Sequence, residues 1–178
     1  MNLQIVDVSQ ADLPDMLAMN QAARSDIASL TLPRMQRLLD IASYFRMAVY
    51  DGKKAGFLIA LLQDADYQQP GFKWFHENFD AFLYIDRVVV DSRFRGHGIG
   101  KVFYADVQSY AESLAPCLAC EIPLQAGNEI SLLFHGTLGF HEVGQMPAGR
   151  GRKHVSLLAK QLPCFEFVCE QRELGRLA

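Results

Sequence analysis

Two carboxylates stand alone in apolar company. Asp86 interrupts the run Ala81-Phe82-Leu83-Tyr84-Ile85-Asp86-Arg87-Val88-Val89-Val90, and Glu121 interrupts Leu118-Ala119-Cys120-Glu121-Ile122-Pro123. An acid in such a run is costly to bury without a partner, so each is a candidate for proton transfer. The plainer reading of Asp86 is a pair with Arg87 or with a backbone amide, and both readings stay open. His135 lies in a helical pattern and could donate a hydrogen bond or a proton; its plainer reading is a solvent-facing helix histidine. Between these residues comes Asp91-Ser92-Arg93-Phe94-Arg95-Gly96-His97-Gly98-Ile99-Gly100-Lys101, where three glycines alternate. Their backbone N–H groups are unobstructed, and a helix starting at about Gly98 aims its positive end at the same place, so a phosphate would sit well there. His97 reads as a turn residue.

The elements that must position these groups follow from periodicity. Residues 3–8 form a first strand, and Ser9 opens a helix with Leu13, Met16 and Leu17 on one stripe. Thr31-Leu32-Pro33 opens a second helix. Residues 45–50 and 55–62 are two strands joined by Asp51-Gly52, a strong hairpin signal. Residues 63–80 lose the pattern but carry Tyr67, Phe72, Trp74 and Phe75, which makes the segment either a substrate lid or an aromatic plug on the core. Residues 81–90 are the longest strand, the glycine turn follows, and Phe103, Val107, Tyr110 and Leu114 mark the helix after it. Strand, helix and strand 118–123 in this order imply a right-handed parallel crossover. Asn128 can cap the next helix, which ends at Gly139; residues 140–143 return as a strand. Residues 144–151 form a loop with Arg150 and Arg152 near its tip, and residues 154–160 form the last strand. Residues 1–160 read as one domain, and 161–178 as an extension of mixed polarity with no assigned structure.

Composition narrows the partners. With 178 residues, half of them apolar and 21% charged, the chain fits one ordinary globular domain. A net charge of −3 with scattered Lys and Arg argues against a nucleic-acid-binding face. No apolar run reaches a membrane span, and Met1-Asn2-Leu3-Gln4 does not begin a signal peptide, so the expected location is cytoplasmic. Cys117, Cys120, Cys164 and Cys169 lack histidine support and read as reduced thiols, with no metal expected.

Spacing then selects the phosphate ligand. A P-loop needs a glycine where Arg95 stands and Ser or Thr where Val102 stands. The dinucleotide fingerprint needs its third glycine one residue later than Gly100. Arg95-Gly96-His97-Gly98-Ile99-Gly100 instead resembles the fingerprint of the GNAT family of acetyl-coenzyme A-dependent N-acyltransferases: Arg or Gln, two residues, Gly, one residue, Gly or Ala. Asn128-Glu129-Ile130-Ser131-Leu132-Leu133-Phe134-His135-Gly136-Thr137-Leu138-Gly139-Phe140 resembles the family's second cofactor motif.

The resemblance implies an α/β (α+β) single-domain GNAT-like fold, a mixed sheet of about seven strands with a splayed parallel pair, flanked by about four helices. It implies that acetyl-CoA lays its pyrophosphate on Arg95, Gly96, His97, Gly98, Ile99, Gly100 and Lys101. Its pantetheine arm would pair with the backbone of Val88, Val89 and Val90, in the gap beside strand 118–123, and Asn128, Ser131, Phe134 and His135 would complete the cofactor site. The implied activity is acetyl transfer to a primary amine of a small molecule or peptide, directly and in a ternary complex, with a homodimer possible. An amine is only about a thousandth neutral at pH 7, so a base is useful. Glu121 is favoured over Asp86, because a cleft opens at the carboxyl ends of parallel strands. His135 departs from the family, which commonly carries a Tyr there as general acid; the acid role can survive on a different pH profile. Tyr67, Phe72, Trp74 and Phe75 beside Asp86 would shape the acceptor site and suit a cationic amine. A non-catalytic acetyl-CoA-binding regulator and a ligand-free fold-mate are the other readings.

Overall fold

A computed structural model describes residues 2–23, 29–147 and 154–175. Among the described residues, one seven-stranded mixed sheet with a single parallel pair runs β1-β2-β3-β4-β5-β7-β6. The strands are β1 (Leu3–Asp7), β2 (Tyr44–Tyr50), β3 (Lys53–Leu62), β4 (Leu83–Val90), β5 (Cys117–Pro123), β6 (His141–Met146) and β7 (Val155–Gln161). Among the described residues the helices are α1 (Leu13–Ala22), α2 (Leu32–Ile41), α3 (Pro70–Asn78), α4 (Ile99–Ala111), α5 (Glu129–Thr137) and α6 (Cys164–Glu173). The mixed α/β architecture expected from the motifs is the one found.

The chain forms two compact units. The first comprises Met1–Leu61 and Ile85–Val107. Its hairpin turn has φ of 46° at Asp51 and 77° at Gly52, the paired positive values that match strand twist in a two-residue turn. Met16, Met35, Leu38, Phe57, Val89 and Phe103 are buried in this unit. Tyr44 and Arg46 of β2 both bond Asp106 Oδ2 of α4, at 2.7 and 2.8 Å, which pins the helix that follows the glycine turn.

The second unit comprises Leu62–Tyr84 and Gln108–Ala178. Here β5 and β6 both pair antiparallel with β7. Half of the patternless segment is a helix: Pro70 starts α3, and Phe72, Phe75 and the C-cap Phe79 recur at three- and four-residue steps. Phe72 and Phe75 are buried against Phe82 and Tyr84. The expected loop from Gly144 is also shorter, because β6 continues to Met146 past an irregularity between Glu142 and Gly144. Arg150 and Arg152 lie outside the described residues. The unassigned C-terminal stretch contains α6.

Candidate functional site

In the first unit, β4 delivers the chain into a turn built for an anion. Asp91 accepts the Arg93 N–H at 2.9 Å and grips the Arg93 guanidinium with both oxygens, and this arginine holds its carboxyl below the ordinary range. Gly96 and Gly98 take φ of 80° and 78°, conformations that side chains resist, and no atom lies within 4 Å of where a Cβ would stand. The turn's outer face is therefore open. The first bond of α4 runs from Val102 N–H to the Gly98 carbonyl at 3.1 Å, so the N–H groups ahead of it have no partner within the helix. His97 folds back: its Nδ1 lies 3.2 Å from the Phe94 carbonyl and 3.0 Å from that of Arg95, so Nδ1 carries the proton and ties the turn together. Arg95 and Lys101 are exposed cations on either side.

The strand entering the turn is fixed from behind. Gly56 of β3 has no room for a Cβ, because the Val89 carbonyl occupies that place and Val90 Cα would stand 3.2 Å away. Asp86 does not stand alone: Arg87 Nε bonds it at 2.6 Å, with both side chains less than a tenth exposed. Arg87 also reaches the buried Asn20 of α1 at 2.8 Å. The plainer reading of Asp86 thus describes its surroundings, a satisfied charge tying β4 to α1.

In the second unit, Glu121 occupies the fifth position of β5 with its carboxylate against the first turn of α3. A methyl group on Gly71 would collide with Oε2 of Glu121 and stand 3.0 Å from the Tyr84 hydroxyl. Burial and then the Glu121 charge push the neighbouring Cys120 thiol up. Phe72 meets Tyr67 edge-on at 5.5 Å and Tyr84 at 5.6 Å, so Tyr67, Phe72 and Phe75 form a packed wall. Trp74 is half-buried, with its ring over Gly144 of β6.

Asn128 stands at the N-cap position of α5, where the sequence predicts it, but without the expected side-chain bond. Asn128 is buried, but its side chain makes no cap; Nδ2 donates to the Pro123 carbonyl at 2.9 Å, fastening the helix to the end of β5. With that carbonyl within reach, the amide spends its donor on the strand end. Gly139 closes the helix at φ of 87°, as expected. His135 is not solvent-facing. It is 3% exposed, sits edge-on to Phe134 and Phe140, and donates Nδ1–H to the Ser131 carbonyl at 2.7 Å. Burial pushes its pKa down, against the opposing effect of that hydrogen bond.

The Acetyltransferase (GNAT) family model matches residues 13–140. The chain belongs to the GNAT family. Solved GNAT relatives share its fold at low identity. The ribosomal-protein-S18-alanine N-acetyltransferase from Escherichia coli is 17% identical over 90% of this chain and 94% of its own, with a TM-score of 0.68. The ribosomal-protein-alanine N-acetyltransferase from Brucella melitensis is 24% identical over 89% and 99%, with a TM-score of 0.65. Arabidopsis thaliana Naa50, in complex with the bisubstrate analogue CoA-Ac-MVNAL, is 15% identical over 90% and 99%, with a TM-score of 0.68. No curated protein sequence matches.

Seen as a GNAT chain, the molecule brings Val88–Val90 and the glycine turn together in one unit, and Glu121, Tyr67, Phe72, Phe75 and the α5 residues in the other. Sequence reasoning missed Gly71, Tyr84 and Gly144. The signal for α3 was present in Pro70 and the Phe72-Phe75-Phe79 spacing. Nothing in the spacing pairs Gly71 with Glu121, because that contact joins elements 50 residues apart.

Proposed function

We propose that this GNAT protein is an acetyl-CoA-dependent N-acetyltransferase, passing an acetyl group directly to a primary amine of a small molecule or peptide in a ternary complex. The observation that carries this is the open turn at Gly96 and Gly98, whose free N–H face fits a pyrophosphate. Arg95 and Lys101 add charge, and the backbone of Val88, Val89 and Val90 would hold the pantetheine arm. Asn128, Ser131 and Phe134 would support the same ligand from α5. Bound acetyl-CoA supplies an activated acyl thioester. The chain's part is to hold the amine, take its proton at the Glu121 carboxylate and limit water. Asp86 is satisfied by Arg87 and is the weaker candidate for base. Tyr67, Phe72 and Phe75 would act as a rigid wall and Trp74 as a half-open edge of the acceptor site. A peptide amine is supported by the relatives named for ribosomal-protein alanine and by the peptide analogue on Naa50. The proposed location is cytoplasmic; no helix among the described residues is long and apolar enough to cross a membrane.

One observation favours a second reading, an acetyl-CoA-binding regulator. His135 stands where the acid is expected and spends its Nδ1 proton on Ser131. Calorimetric titration with acetyl-CoA and CoA, followed by thiol release across a library of primary amines and short peptides, decides between them. Binding with release by some amine is expected. Binding without release would favour the regulator, and no binding would overturn both.

A further inference from the structure

Gly71 is the second residue of α3 and has no left-handed φ, so glycine's conformational freedom is not why it is there. Glycine is also a poorer helix former than alanine. Space is the remaining reason. The volume a Cβ would fill is taken by the Glu121 carboxylate, with Glu121 Cδ and the Tyr84 hydroxyl both 3.0 Å from the Cβ position. Tyr84 cannot swing away, since its ring is 2% exposed and wedged between Phe72 at 5.6 Å and Phe75 at 6.0 Å. Helix, central strand and β5 therefore converge on the space a Gly71 Cβ would fill, and the helix comes this close only because residue 71 lacks a side chain.

We propose that Gly71 and Tyr84 are positioning residues that seat the Glu121 carboxylate under the first turn of α3 and fix the direction in which it takes a proton. This rests on the reading of Glu121 as the base. The fit is tight: the carboxylate that Gly71 admits has no room beside a methyl group, and a shift of about 1 Å at a reacting group costs on the order of a hundredfold in rate.

The test swaps sizes across the contact. In the full chain, Gly71→Ala pushes the flexible Glu121 carboxylate aside, so Tm is expected to fall by no more than about 2 °C when residue 121 is Glu, and not to fall beside Glu121→Asp, whose shorter side chain vacates the space. Equal losses in the two backgrounds would overturn the seat. In kinetics, with the amine giving most thiol release, Gly71→Ala should lose about a hundredfold in kcat with KM for acetyl-CoA unchanged. The double variant should keep the kcat of Glu121→Asp alone. Wild-type kcat in Gly71→Ala would also overturn the proposal. Should Gly71→Ala not fold, Tyr84→Phe keeps the packed ring; it should lose about tenfold in kcat at constant KM for acetyl-CoA, and an unchanged kcat would count against the seat. Glu121→Gln with wild-type kcat would remove the base reading by itself, leaving the Tm coupling to report on the seat.

Discussion

Glycine serves opposite ends in the two units of this molecule. At the turn after β4, Gly96 and Gly98 take positive φ and have nothing above them, so the residue supplies conformation and leaves backbone exposed. In the second unit, Gly71 of α3 and Gly144 of β6 have no left-handed φ and are crowded, Gly71 by Glu121 and Tyr84, Gly144 by Trp74. There the residue supplies room for side chains. One region is an open backbone surface suited to an anion that many proteins share; the other is a close-packed arrangement of this chain's own side chains. The proposed donor and acceptor functions divide along that line.

The comparison is broken most forcefully at the carboxylate. If the packed region handles the proton and the open region holds the donor, Glu121→Gln should lower kcat by about a hundredfold to ten-thousandfold while leaving calorimetric affinity for acetyl-CoA unchanged. A parallel loss of affinity would erase the division. The converse variant is Gly98→Val. A β-branched residue resists φ of 78° and covers the open face. It should weaken acetyl-CoA binding by about a hundredfold, and unchanged affinity would move the ligand elsewhere.

The same line separates what the sequence reveals from what it conceals. Turn, strand and following helix are local in the chain, so Arg95-Gly96-His97-Gly98-Ile99-Gly100 carries its own geometry. Strands β2 and β3 were likewise legible, because alternation and Asp51-Gly52 sit within a few residues of each other. By contrast α3 was obscured by its composition: Phe72, Trp74 and Phe75 crowd a nine-residue helix that Phe79 caps, and only some of them are buried. Asp86 shows the limit from the other side. The sequence offered Arg87 as a partner, yet Asn20, which completes that tie, is 67 residues away. Asn128 does stand at the N-cap position, but its side chain caps nothing: donating Nδ2 to the Pro123 carbonyl fixes the amide's orientation, and that carbonyl comes into reach only once β5 ends where it does.

A milder change tests the crowded side alone. A Cβ on Gly144 would stand 2.9 Å from Cζ2 and 3.2 Å from Cη2 of Trp74, a rigid ring held edge-on by Phe75 at 5.2 Å. Gly144→Ala should cost about 1 to 3 kcal/mol through overpacking, read as a lower Tm, with acetyl-CoA affinity intact. Trp74 is the chain's one tryptophan, so its emission reports the displacement directly. An unshifted spectrum with wild-type Tm would show that β6 yields instead of the ring.

The smallest effect falls on His135, where the crowded region controls a proton. Burial holds its pKa below the ordinary 6.5. Well above pH 6.5 the ring is neutral in the folded and the unfolded chain alike, and it adds nothing to the pH dependence of stability. As pH falls through that value, the unfolded chain takes up a proton first, and stability drops until pH reaches the lower folded value. His135→Gln removes this titration while keeping a donor near the Ser131 carbonyl. Between pH 7.5 and 5 the wild-type Tm should therefore fall further than that of His135→Gln, by about 2 °C, since other groups titrate alike in both. Equal falls would mean that the ring titrates as it does in water. Turnover draws the complementary line: with Nδ1 committed to Ser131, Nε2 donates a proton only in the cation. Any rate His135 supplies as an acid is then lost as pH rises through its folded value, below 6.5. A His135→Ala pH–rate profile matching the wild type would leave His135 as packing between Phe134 and Phe140.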